Sequence, residues 1–539
     1  MGMTIMFQIP DFQCYNEKTD SYYGCLQSEV CQLLHDNQED YFKVKQKSMF
    51  AVYFQLVCED SWYLDICPSV FFVGQGLSSL IMSYFADKYG RRKIIVSCQL
   101  IGAIALASIA FSPSVQIFLA INFFAGFGLG GFETTIQAYC SEISGSRFRN
   151  FSSTILFITW GTAQLLYTLL YSFVKDWRYL CMMSGIPLLL SHYFVRKYFV
   201  ESPRFLVGKG RYKEARLVFK YISEFNLRPA FEFHLYDEME DYNNKVSVII
   251  NTKQISIDDF EKKQIEDIVE QEQKNKKKQK ASYFIFCRNK EIFISTINTA
   301  YCWFTRYFIY YSISFNINSM GHQALSFFLL GMSEVIAALI SIPLKLSMRR
   351  VKAFKLSMII ILFMAIILAF IGKMPAECYF DAILCWQEIF TLICAIGLKF
   401  AITLFGVILM TYTSEIYPTV FRSQGLGICM LVGQLGSTYS PIFTSQIQDT
   451  FTLSPLSSLG FLACIGYIFT YFLKETYQQD MKDYLIETSK MDNFRRRFSK
   501  NLKKLISFEP NSNMTLNNDT SQYKDVELQP MQQSLLEKE

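Results

Sequence analysis

Charge is what this sequence has little of. Asp, Glu, Lys and Arg make up 18% of its 539 residues, while 51% are hydrophobic, with 50 Phe and 32 Tyr. Soluble domains carry about 25% charged residues, so this polar coat is too thin for a soluble enzyme of several cores. The charges that remain nearly cancel, 52 basic against 47 acidic for a net +5, which gives no compositional sign of a nucleic-acid partner. Reactive motifs are missing as well. There is no P-loop, no nucleophile elbow and no His/Cys grouping of metal-ligand type around the four histidines. An ATP-driven pump, an enzyme, a cofactor or a metal centre therefore has no motif behind it.

What is present is a series of apolar runs, each long enough to cross a bilayer, for which roughly 17 to 25 residues suffice. Eleven occur, at about 66–86, 94–112, 115–138, 151–174, 177–200, 291–316, 322–346, 353–372, 384–411, 424–446 and 452–473. Lipid offers no partner to backbone polar groups, and runs of this length satisfy them as helices rather than as barrel strands. The expected fold class is an all-α polytopic membrane protein.

Lys and Arg favour the cytoplasmic side, and here they collect in alternate loops. DKYGRRK (87–93), the loop with Arg147 and Arg149, and the 201–290 segment with Lys274, Lys276, Lys277, Lys278 and Lys280 are assigned to the cytoplasm. The tail follows, and its FRRRFSKNLKKL stretch (494–505) is either a solvated tail or a surface for anionic lipids. Residues 1–65 then lie outside or in a lumen, and hold Cys14, Cys25, Cys31 and Cys58, with Cys67 at the membrane edge. The long cytoplasmic segments hold only Cys287, an asymmetry that makes the first four disulfide candidates of open connectivity. The expected plan is an extracytoplasmic loop segment (1–65), five spans (66–200), a cytoplasmic loop (201–290), six spans (291–473) and a cytoplasmic tail (474–539) in a plasma or intracellular membrane. Helices are expected at the start of the 201–290 loop. A disordered linker follows them, and the N-x-T sequons at Asn513 and Asn518 fall on the side that is not glycosylated.

YCSEISGSRFRN (139–150) and YTSEIYPTVFRS (412–423) coincide at Tyr, Ser, Glu, Ile, Phe and Arg with one offset of 273 residues. The chain thus reads as a duplicated helical half, as in carriers with a site between two halves. Two spans precede Arg349 and Arg350, but one precedes Arg91 and Arg92. The expectation is a 6 + 6 plan whose first helix is missing, through a lost gene start or, second in preference, a lost helix.

These residues resemble the major facilitator superfamily and, within it, the organic cation and anion transporter group. The resemblance rests on FQLVCEDSW (54–62), DKYGRRK with Ser83 in place of the signature's leading Gly, DWRYL (176–180), ESPRFLVGKGRYKEA (201–215), WFTRYFIYYSISFN (303–316), Glu334 in GMSEVIAA, SEIYPTVFRSQGLG and LKET (473–476). Sugar porters share several of these. The resemblance implies alternating access and an inner latch. Asp87, Arg91, Arg92, Glu142, Arg149, Glu201 and Arg204 would form one half of it, and Arg349, Arg350, Glu415, Arg422 and Glu475 the other. Glu142 to Arg149 and Glu415 to Arg422 share a seven-residue spacing that suits such pairs, although the same charges could simply anchor helix ends. In that group an acid or an Arg at the place of Gln434 accompanies cation or anion carriers respectively, whereas Lys399 resembles a basic position of the anion branch.

Ionisable residues inside spans are functional candidates by default, and Glu133, Arg306, Glu334 and Lys399 qualify. Glu133 lies nine residues before Glu142, about 13 Å along a helix. Trp160, Gln164, Tyr167 and Tyr171 share one helix face, as do Trp303, Tyr307, Tyr310 and Ser314. Such rings either hold an organic cation or flat substrate in a cavity or pack against other helices. The expected function is a secondary or facilitative carrier of small organic ions, cation or anion open. A sugar or polyol carrier and a non-transporting membrane protein of the same fold are the alternatives.

Overall fold

A computed structural model describes residues 6–7, 12–16, 21–25, 27–35, 42–44, 49–56, 58–145, 148–227, 290–316, 323–371, 386–417, 421–450 and 455–476. The basic clusters at 274–280 and 494–505, Arg147, Cys287 and both sequons lie outside them.

Each of the eleven apolar runs coincides with a helix. They are α3 (Tyr63–Tyr89), α4 (Arg91–Ile109), α5 (Val115–Ile143), α6 (Arg149–Phe173), α7 (Trp177–Tyr198), α10 (Lys290–Phe315), α11 (Gln323–Ser347), α12 (Arg350–Ile371), α13 (Trp386–Ile416), α14 (Arg422–Thr450) and α15 (Pro455–Thr470). Among the described residues eight helices are both long and apolar enough to cross a membrane. The three that fall short have visible reasons. α7 carries Arg178, Arg196 and Lys197, α10 carries Lys290, Glu291 and Arg306, and α15 has 16 residues.

Caps and turns in the sequence set where these helices begin and end. The Ser114 and Asp176 side chains accept from the Ile117 and Arg178 backbone N–H groups at the starts of α5 and α7, supplying acceptors to donors a helix leaves open. Gly90 separates α3 from α4 at φ +112°, a conformation that side chains with a Cβ rarely adopt. Close approach depends on glycine as well. A Cβ on Gly126 would sit 2.0 Å from the Phe71 carbonyl oxygen, and one on Gly128 2.2 Å from the Gly102 nitrogen. Small residues let α5 nest against α3 and α4, since packing contact, not hydrophobic drive, holds helices together in lipid.

The two halves meet along two related seams. α3 packs against α14, and α6 packs against α11. Each seam thus pairs one helix of the first half with one helix of the second. α10 packs on α14, α13 and α15, and 16 of its side chains are buried, several of them polar.

Within the first 65 residues the described segments include strands and helices. β1 (Phe12–Asn16) pairs antiparallel with β2 (Ser21–Cys25) and β3 (Phe42–Val44), in the order β2-β1-β3. Helix α1 (Gln27–His35) carries Cys31, which is disulfide-bonded to Cys58 with a Cα–Cα distance of 5.5 Å. Cys14 is disulfide-bonded too, and Cys25 occupies β2 opposite Phe12. Phe50, in the short helix α2 (Phe50–Tyr53), seats this segment on the helices, with ring centroids 4.6 Å from Phe118 and 5.4 Å from Trp177. The loop after α7 begins with α8 (Pro203–Gly208) and α9 (Tyr212–Phe225), joined by a small core of Phe205, Leu206 and Ala215.

Candidate functional site

At the end of the bundle that carries the basic loops, Arg91 opens α4 directly after Gly90. Its guanidinium, 1% exposed, lies 2.9 Å from Asp87 Oδ1 and 2.9 Å from Glu142 Oε1. Its backbone N–H donates to Glu201 Oε1 at 2.9 Å, and Ser202 Oγ donates to Glu142 Oε2 at 2.6 Å. The second half repeats this arrangement. Arg350 opens α12 and lies 3.2 Å from Glu415, its N–H donates to Glu475 at 2.9 Å, and Thr476 Oγ1 donates to Glu415 at 2.6 Å. In both halves an arginine at a helix start, an acid at the end of a long helix (α5 or α13) and an acid after the half's last helix (α7 or α15) form one dehydrated knot. Lys209, beside it after α8, is pushed below the usual lysine range by partial burial and by Arg91.

Several contacts carry this end across the seam, among them Ser153 with Thr411 at 2.7 Å and Thr154 with Ser341 at 3.1 Å. Arg422 Nη1 lies 3.7 Å from Glu142 Oε1, and the Gln424 N–H donates to Asp87 Oδ2 at 3.0 Å. Lys345 Nζ donates to Ser153 Oγ at 2.9 Å and Thr154 Oγ1 at 2.6 Å. Asp87 thus sits at the N-terminus of α14, where a helix favours negative charge.

Glu142 meets Arg91 and Arg422, and Glu415 meets Arg350. Arg349 is exposed, Arg92 is exposed and donates to the Arg196 carbonyl, and Arg204 has no ion pair among the described residues. Arg149 is the first residue of α6, and its side chain is outside those described. Lys345, Ser153, Thr154, Ser202, Gln424 and Thr476 were not anticipated. Lys345 had a signal, because it is ionisable within an apolar run.

Deeper in the helices the two halves meet again through polar side chains. Tyr307 of α10 donates its hydroxyl to Glu133 of α5 at 3.1 Å. Trp160 Nε1 of α6 donates to the Tyr310 hydroxyl at 2.9 Å, and that hydroxyl donates to Glu334 of α11 at 2.8 Å. Glu334 lies 3.2 Å from Lys399 of α13, whose ammonium also donates to Ser314 Oγ at 2.6 Å and lies 3.2 Å from the Tyr310 ring centroid. Gln164 donates to the Phe327 carbonyl at 3.0 Å, and Trp303 Nε1 to Thr413 at 3.0 Å. Arg306 lies among the rings of Tyr307, Phe157, Tyr310 and Trp303, with its Cζ 4.3 to 5.6 Å from their centroids. Glu133, Arg306, Glu334, Lys399 and both aromatic faces therefore converge. Tyr167 and Tyr171 stand apart, Tyr167 half-buried and Tyr171 under Lys175. Gln434 is buried on α14 beside Gly76.

At the opposite end Ser69 donates to the Thr438 carbonyl and Ser445 to Asp65, each at 2.8 Å. The seam is thus bridged at both ends and in the middle, mostly by single hydrogen bonds or ion pairs whose partners lie on different halves. Such contacts can be exchanged for water as two packed bodies rock.

Two related helical halves joined by a polar seam define a membrane carrier fold, and the comparisons agree. The profile described as Major Facilitator Superfamily matches residues 63–441, and the chain belongs to that superfamily. Human organic cation/carnitine transporter 2 is 27% identical over 446 residues, 81% of this chain and 71% of that protein. Caenorhabditis elegans organic cation transporter 1 is 23% identical over 473 residues, covering 87% and 73%. These relatives match the organic cation and anion transporter group that the motifs resemble. Among solved structures, the proton:xylose symporter XylE of E. coli aligns with a TM-score of 0.60 at 15% identity over 81% of this chain and 92% of its own, a likeness of fold.

Proposed function

We propose that the protein is a secondary or facilitative carrier that moves small organic ions by alternating access across the seam. The observation that carries this reading is the mid-depth cluster: four ionisable groups and five aromatic rings (Phe157, Trp160, Trp303, Tyr307, Tyr310), contributed by both halves and buried in an apolar bundle. Burying charge in a membrane protein is costly and persists where ions or substrates are handled. Rings and charges together suit an ion with an organic body, whereas a sugar needs mainly neutral hydrogen-bond partners. The names of the two relatives point the same way, and XylE supports the sugar alternative by fold alone. The basic-loop end is the cytoplasmic latch in this reading, and residues 1–65 face outside or a lumen.

The test is uptake by purified protein in proteoliposomes from one panel of labelled cations, anions, zwitterions and hexoses. Saturable uptake of an organic ion, lost in Glu142→Ala, is expected. Uptake of hexoses alone would establish the sugar carrier, and uptake of nothing the non-transporting protein.

A further inference from the structure

The four charges of the central cluster are not equally matched. Glu334 is committed to Lys399 at 3.2 Å. Glu133 accepts the Tyr307 hydroxyl and attracts Arg306 across more than the 4.0 Å of a direct ion pair. That leaves Arg306, 6% exposed, with no carboxylate within 4.0 Å among the described residues and with a buried Nε that has no hydrogen-bond partner. Its surroundings are built rather than accidental. The Tyr307 ring centroid lies 4.3 Å from the guanidinium carbon, Phe157 of the other half faces it at 5.3 Å, and a Cβ at Gly406 would stand 2.7 Å from Nε. Stacking on rings supports a guanidinium by its face while leaving its edge of N–H donors open, and that edge matches a carboxylate bidentately. A buried guanidinium with no carboxylate in contact and an unsatisfied Nε gains by a ligand that supplies the acceptor.

We propose that Arg306 is the oxyanion subsite of the carrier, so that the transported ion bears a carboxylate docked on this guanidinium while its apolar or cationic remainder lies on the surrounding rings. The proposal rests on the carrier reading above and names its substrate class. Gly406 leaves the room that the guanidinium occupies, and the position at the seam lets the carboxylate enter when the halves part.

The experiment uses matched probes, small aromatic monocarboxylates and trimethylammonium carboxylates, each beside its own methyl ester. Binding to the purified full chain is read by thermal stabilisation and uptake is read in proteoliposomes. Wild type is expected to prefer acid over ester by about tenfold or more, the worth of a charged hydrogen-bonded pair. Arg306→Gln is expected to bring that ratio close to one, and Arg306→Lys to retain part of it. Equal binding of acid and ester by wild type overturns the proposal even where Arg306→Gln cannot be prepared, and so does an acid preference that survives in Arg306→Gln. Arg306-dependent acid binding without uptake would uphold the subsite and reject the carrier reading. A preference for esters or for permanent cations without a carboxylate would reject the subsite and leave carriage standing.

Discussion

Glu142→Gln is the most informative perturbation of the latch, because one carboxylate serves both halves. Oε1 lies 2.9 Å from Arg91 within its own half and 3.7 Å from Arg422 across the seam, with all three side chains at most 1% exposed. Unit charges 3.7 Å apart attract by about 4 kcal/mol at an effective dielectric of 20. Dehydration offsets much of that, leaving a coupling of about 1 to 3 kcal/mol between the two halves. Gln keeps the shape and Arg91 keeps Asp87 at 2.9 Å; of the two attractions lost, with Arg91 and with Arg422, only the second crosses the seam. Cys140 supplies a native reporter, since its part-buried thiol lines a small cavity with Ser153 and Ser414 from the facing elements. Its rate of alkylation, followed by mass spectrometry, is expected to rise by about fivefold to a hundredfold in Glu142→Gln, at 1.4 kcal/mol per factor of ten. Arg422→Gln is expected to behave alike, and the double variant no more strongly than the stronger single one. Effects that multiply in the double variant would refute the cross-seam pair as the element that holds this end shut.

Three further outcomes follow from the packing. Cys31→Ser removes a bridge across a sequence separation of 27 and should lower stability by about 2 to 5 kcal/mol; a thermal midpoint equal to that of the non-reduced wild type would contradict this. Gly128→Val places atoms 2.2 Å from the Gly102 backbone, whereas Gly145→Ala meets nothing within 4 Å. The first should lose about 1 to 3 kcal/mol and most of its monodisperse yield in size-exclusion chromatography, and the second neither. Tyr310→Phe strips the hydroxyl shared by Trp160 and Glu334 and leaves the half-buried indole N–H without this acceptor, at about 1 to 3 kcal/mol. Substrate affinity should fall by about tenfold or more, read as a raised KM in uptake.

Much of the fold is legible because lipid imposes one simple demand, and a run such as 353–372 is recognisable as a helix by length and apolarity alone. The repeat at 139 and 412 likewise marks two equivalent helix ends. What spacing does not reveal is which partner a charged side chain turns to. The described ion-pair partners of Glu142 come from α4 and α14, 51 and 280 positions away. Lys345 is legible as an ionisable residue in the apolar run 322–346, but its partners are the facing hydroxyls of α6, which spacing does not reveal. The strands at 12–44 were illegible for another reason: short and mixed in polarity, they are defined by their mutual pairing and not by their own pattern.

Trans-stimulation in proteoliposomes tests alternating access most directly. Vesicles preloaded with an unlabelled organic ion should take up the same labelled ion faster than empty vesicles, with a rate that saturates, because a site facing one side at a time returns faster when loaded. Uptake that rises linearly with concentration and ignores what the vesicles contain would contradict the account.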